Sequence, residues 1–100
     1  VITVTPEARA QFDVLCMRFR AGLAQRAVEI ELAAADPSAA SRREMVNLLH
    51  RLAGAAPPYG FDAIGALARR AEQLAQAGDD GAALAAALAE LRAAMDRERV

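Results

Sequence analysis

Asn47-Leu48-Leu49-His50-Arg51-Leu52-Ala53-Gly54-Ala55-Ala56-Pro57-Pro58-Tyr59-Gly60-Phe61 decides how this chain is read. Its first part has helical spacing. With each residue about 100° around the axis from the last, Met45, Leu48, Leu49, Leu52 and Ala56 share one apolar stripe. His50, the only histidine of the chain, points roughly 140° from the stripe's centre. Arg43, Asn47 and Gly54 share that outer face. Pro57-Pro58 stops the helix, because neither ring has an N–H to give and each restricts the residue before it. Tyr59-Gly60 completes a short turn. The lone imidazole is therefore expected to face water on a helix, with no side chain one turn further on.

The neighbouring segments repeat the same period. Thr5-Pro6-Glu7 is a helix start: a hydroxyl cap, a proline at the first position and a carboxylate near the positive end. From there Phe12, Leu15, Cys16, Phe19, Leu23, Ala27 and Ile30 predict one long helix to about Ala35. Val14, Met17, Val28 and Leu32 lie off that stripe, marking either a second contact face or a bend near Gly22. Asp36-Pro37 opens the next helix, unless the capping-box pattern Ser41-Arg42-Arg43-Glu44 does. Phe61, Ile64, Leu67, Ala68, Ala71, Leu74 and Ala75 make a third stripe, closed by Gly78. Asp79-Asp80-Gly81 makes a turn and supplies caps. A last helix to Arg97 buries Leu84, Leu88, Leu91 and Met95. Val1-Ile2-Thr3-Val4 is expected against the end of the bundle. The prediction is an all-α, up-down antiparallel four-helix bundle with a long first helix, forming one domain over residues 1–100.

Composition agrees. Alanine supplies 27 of 100 residues and aromatics only 4 %, which favours closely packed helices over sheets. Twelve basic residues, all arginine, are interspersed with 13 acidic ones for a net charge of −1. No basic field exists to hold a nucleic-acid backbone. No apolar run approaches the ~20 residues that span a bilayer, and a single cysteine fits a reducing compartment. The expectation is a cytoplasmic protein that binds neither nucleic acid nor membrane.

Most enzymatic chemistry is excluded. Cys16 and the serines lack a positioned base. No set of residues has metal-ligand spacing. Glu29 and Glu31 diverge on a helix, and Asp79-Asp80 belongs to a turn. What remains is His50. A free imidazole titrates at about 6.5, so at neutral pH most of it is unprotonated and nucleophilic. Such a ring can take a phosphoryl group from a mixed anhydride and hand it on, provided a second protein can bring the donor in line. Gly54 supplies that clearance. A glycine in mid-helix costs about 1 kcal/mol against alanine, so its presence in so alanine-rich a chain requires a reason.

The run His50-Arg51-Leu52-Ala53-Gly54 with Gly60, followed by a helix, resembles the histidine-containing phosphotransfer (HPt) domain, whose usual pattern is H-x-[LI]-[KR]-G-x5-G. His50, Leu52, Gly54 and Gly60 fall at its positions. The resemblance implies a phosphocarrier with no autonomous catalytic activity, whose His50 Nε2 carries phosphate between receiver-domain aspartates. It implies response-regulator receivers and a hybrid sensor histidine kinase as partners, and Mg²⁺ on the receiver with no cofactor on this chain. One position departs: the family usually has lysine or arginine three residues after the histidine, and here that residue is Ala53. Arg43 on the same face, or Arg51 at its margin, is expected to substitute imperfectly, and Arg69 on the next helix more weakly. Ala53 also supports a competing reading, a bundle that docks receivers or kinases without exchanging phosphate. A third is the phosphotransfer domain of a chemotaxis-type kinase.

If clearance beside His50 is what Gly54 provides, Gly54→Leu slows phosphotransfer and leaves the fold intact. Transfer kinetics beside a circular-dichroism melt check this; unchanged kinetics contradict it.

Overall fold

The computed structural model describes residues 3–79 and 81–98. Every regular element among them is helical: α1 (Pro6–Ala21), α2 (Leu23–Ala35), α3 (Ala39–Ala55), a 3-10 turn (Pro57–Tyr59), α4 (Asp62–Gln76) and α5 (Ala82–Arg97). Val1, Ile2 and Asp80, to which the sequence reading gave packing and capping roles, lie outside the described residues. Thr3 and Val4 are exposed.

The long first helix is divided at Gly22, so the expectation of one uninterrupted element is corrected to two helices. The Gly22 N–H donates to the Arg18 carbonyl at 3.1 Å, closing α1, and the Arg26 N–H donates to the Gly22 carbonyl at 3.1 Å, opening α2; Gly22, with ψ −7°, caps both helices. α1 starts as its sequence dictates, with Thr5 Oγ1 accepting from the Ala8 N–H at 3.1 Å.

α3 begins at neither expected position. Asp36 accepts from the Ser38 N–H at 2.8 Å, and Ser38 Oγ accepts from the Ser41 N–H at 3.1 Å. These tandem caps open the helix at Ala39, between the two starts the sequence offered. The Ser38 N–H, with the Ser41 and Ser38 hydroxyls, holds the Asp36 carboxyl below its ordinary titration range. Ahead of α5, Asp79 Oδ1 accepts from the Gly81 N–H at 3.0 Å and from the Leu84 N–H in the helix's first turn at 3.4 Å.

α2, α3, α4 and α5 close a ring of neighbours, α3 against α4, α4 against α5, and α2 against both α3 and α5. Their shared core holds Leu23, Ile30, Met45, Leu49, Leu52, Ile64, Leu84, Leu91 and Met95. On α4, Ala68, Ala71 and Ala75 face inward, and their small size lets the helices approach. α1 packs on α2 and on the 3-10 turn, and its Arg20 reaches Glu98 at the end of α5 at 3.6 Å. Phe19 is buried there, stacked on Tyr59 with centroids 5.0 Å apart. Phe12 and Leu15, expected in the core, are nearly half exposed, and Cys16 is half-buried. The physical reason is that α1 extends past the helices that would cover it.

Two arginines tie the ring together. Arg42 donates to the carbonyls of Ala75 and Asp79, satisfying the C-terminal end of α4 where the helix dipole favours a cation. Arg92 bonds Glu31 on α2 and Asp96 on its own helix, and Asp96 and Glu31 raise its guanidinium above the ordinary value.

The tightest approach is at the other end of α4. A Cβ built on Gly65 would lie 2.6 Å from Pro57 Cγ and 3.3 Å from the Ala53 carbonyl oxygen. Any side chain there pushes α4 away from α3 and the 3-10 turn. Gly60, at φ 90°, turns the chain back into α4 in a conformation that favours glycine. Gly65→Ala is therefore expected to destabilise the fold by about 1–3 kcal/mol despite alanine's helical advantage. A melt should show a fall in Tm of roughly 4–8 °C per kcal/mol for a domain of this size; an unchanged Tm means the proline ring yields freely.

Candidate functional site

On α3 the stripe at Met45, Leu49, Leu52 and Ala56 is buried, which turns His50 outward with 74 % of its side chain exposed. The ring is nevertheless held. His50 Nδ1 lies 2.7 Å from Glu72 Oε2 across the α3–α4 seam. Glu72 comes from α4, one turn after Ala68 and one turn before Ala75, so it belongs to that helix's inward stripe. Only 10 % of its side chain is exposed. The contacts that set α3 against α4 are those already described: Gly65 under Pro57 and Ala53 at one end, Arg42 on the Ala75 and Asp79 carbonyls at the other. Between these two fixed points the helices have one register, and it brings Glu72 level with His50.

The chemistry follows from donor and acceptor capacity. A carboxylate only accepts, so Nδ1 carries the proton and donates it to Glu72. In a neutral imidazole the other nitrogen then bears the lone pair. In that tautomer Nε2 is the nitrogen free to form a bond, across the ring from Glu72 on a side chain that is mostly exposed. The carboxylate also lies where it stabilises positive charge developing on the ring when Nε2 forms a bond. That arrangement orients a nucleophile and fixes its tautomer.

The sequence-derived residues distribute unevenly around this ring. Arg43, Asn47, Arg51 and Gly54 are exposed on α3, and Arg69 is exposed on α4 one turn before Glu72. A Cβ built on Gly54 meets nothing within 4 Å, so its face is open. Ala53 is different: it is 3 % exposed, packed where Gly65 brings α4 against its carbonyl. Tyr59 is half-buried and Phe61 buried, both anchoring the turn.

Glu72 was missed in the sequence. Its signal was a carboxylate at the fourth residue after Ala68 and three before Ala75, an acidic position inside an otherwise apolar stripe. Isolated charges rarely occupy such positions without a partner. Among the described residues no group of three or more His, Cys, Asp or Glu could hold a metal ion. No helix among them is long and apolar enough to cross a membrane.

The family model described as the Hpt domain matches residues 14–99. The chain belongs to the Hpt domain family. No curated protein and no solved structure gives a significant match to it. Hpt domains are phosphocarriers rather than catalytic enzymes; they perform histidine phosphotransfer in two-component signalling and interact with receiver domains and kinases. The four packed helices α2–α5 agree with the family's helical bundle.

The bond from His50 to Glu72 is charge-assisted, a class that contributes about 1.5–3 kcal/mol. Glu72→Ala in this Hpt domain should release the ring into a mixture of tautomers, visible in the ¹⁵N chemical shifts of His50. It should also slow phosphoryl acceptance by about 10- to 100-fold, with Glu72→Gln falling between. A wild-type ¹⁵N pattern in Glu72→Ala would remove Glu72 as the group that fixes the tautomer.

Proposed function

We propose that His50 is the phospho-acceptor of a phosphorelay intermediate, receiving phosphate from a receiver-domain aspartate or a kinase and passing it to another receiver. The observation that carries this reading is the Nδ1–Glu72 bond of 2.7 Å on a ring that is 74 % exposed, a nucleophile both oriented and reachable. In the forward step the Nε2 lone pair attacks the phosphorus of an aspartyl phosphate. The new N–P bond forms as the P–O bond to the aspartate breaks, and the carboxylate leaves with that electron pair. Nδ1 keeps its proton, and the positive charge on the phosphorylated ring is balanced by Glu72, much as a buried carboxylate stabilises the imidazolium of a catalytic triad. The reverse step delivers the phosphoryl group to the next aspartate. Mg²⁺ and most of the stabilisation of the transferring oxygens belong to the receiver in this scheme.

Arg43, Asn47, Arg51, Gly54 and Arg69 form the proposed receiver-facing surface. With Ala53 packed inward, the cation that favours the phosphorylated form comes from Arg43, Arg51 or Arg69. The bundle in this reading is up-down, which the short connections at 36–38, 56–61 and 77–81 support, and the protein works in the cytoplasm. Its donor is a hybrid sensor kinase or that kinase's receiver.

Incubation with a phosphorylated receiver tests the proposal. Acid-labile, base-stable label should reach the wild type and be absent from His50→Gln. Label on His50→Gln removes His50 from the mechanism, and an unlabelled wild type with every receiver of its own organism favours a bundle that only docks. A reading frame that continues into an ATP-binding domain favours the chemotaxis-type kinase.

A further inference from the structure

The contacts along the α3–α4 seam set which residues lie level with one another. Gly65 lies against Pro57, Glu72 bonds His50, and Arg42 reaches the carbonyls of Ala75 and Asp79. Residues therefore pair in opposite order along the two helices. Gln76, one turn after Glu72 on α4, is level with Val46, one turn before His50 on α3. Around α4 it stands about 40° from Glu72, on the side away from the buried stripe of Ile64, Ala68, Ala71 and Ala75. It is exposed.

Helical side chains lean toward the N-terminus of their own helix. The His50 ring starts about 6 Å along the axis from the level of Gln76 and leans toward that level. The Gln76 carboxamide starts level with Val46 and leans back toward His50. The two converge. Other polar residues around the ring diverge from it. Arg43 and Asn47 precede His50 on α3 and lean away. Arg69 is level with Ala53 and leans toward the Pro57 turn. Arg51 is turned about 100° from His50 toward α2, and Gln73 about 100° from Glu72 around α4. The arginines thus act on the site as charge at a distance.

We propose that the Gln76 carboxamide is the hydrogen-bond donor to the phosphoryl group on His50 Nε2, an inference that rests on His50 being the phospho-acceptor. Glu72 holds Nδ1, and Gln76 serves the opposite edge of the ring. As the N–P bond forms, one of the two amide N–H groups donates to a non-bridging phosphoryl oxygen. Gln76 neither gains nor loses a proton, so the transfer keeps the balance given above. A neutral donor suits a carrier, because it holds the phosphoryl oxygens less strongly than a cation and leaves the group easier to pass on.

Nuclear magnetic resonance of ¹⁵N-labelled protein phosphorylated by phosphoramidate, a small donor that needs no receiver, tests the contact. The side-chain amide signal of Gln76 should move on phosphorylation and that of Gln73 should stay. With a phosphorylated receiver, Gln76→Ala should accept phosphate about tenfold more slowly than the wild type. Its unphosphorylated form should keep the wild-type ¹⁵N pattern of the His50 ring, since Glu72 still fixes the tautomer. Gln76→Arg should shift the phosphoryl equilibrium between receiver and His50 toward His50, and Gln76→Glu away from it. Gln73→Ala should change neither rate nor equilibrium. An unmoved Gln76 amide, or acceptance by Gln76→Ala at the wild-type rate, overturns the inference. A wild type that takes phosphate from phosphoramidate but from no receiver overturns the relay role instead, and the amide shift still decides on Gln76.

Discussion

The contact of α4 with the end of α3 governs this molecule. Gly65 lies so close to the Pro57 ring and the Ala53 carbonyl that a β-carbon would overlap them, and Arg42 binds the far end of α4 through its last carbonyls. A helix held at both ends cannot slide by a turn. Sliding would carry Glu72 away from His50 and leave a mostly buried carboxylate without its ring partner, a costly arrangement in its own right. Packing and electrostatics therefore select the same register, and the site results from that agreement.

The same geometry gives Ala53 its character. A residue three places after the histidine lies toward α4, and in this chain the helices approach too closely there for a long side chain. Alanine suits the packing, and in the proposed function the positive charge the family usually keeps at that position is supplied by the exposed arginines around it. Arg69 shares α4 with Glu72, whereas Arg43 and Arg51 share α3 with the histidine, so the two sides of the seam divide the charges between them.

Much of this was legible in the sequence because period and punctuation are local properties. The outward direction of His50 follows from its angle against Met45, Leu49 and Leu52. The prolines at 57 and 58 and the glycine at 60 announce their turn. Less was legible where two distant segments decide the outcome. The burial of Phe12 and Leu15 depends on which helices reach far enough to cover them, and α1 outruns its neighbours. The start of α3 depended on Asp36 and Ser38 capping in tandem, an outcome lying between the two starts that local spacing offered. Glu72 was written into the α4 stripe as an acid among alanines, but its partner lies 22 residues away, and one helix's period contains no statement about the register of the next.

The side of the ring on which Glu72 sits has a bearing on time. A phosphoramidate is lost to water fastest when a nearby base can draw a proton from the attacking molecule, and such a base has to be within hydrogen-bond reach of it. The carboxylate bonded to this imidazole lies at Nδ1, across the ring from the nitrogen that would carry the phosphoryl group. Its position there lets it steady the ring without serving hydrolysis at the opposite edge. In the phosphorelay role proposed for His50, that placement favours a charged state that persists until a partner arrives rather than draining to water.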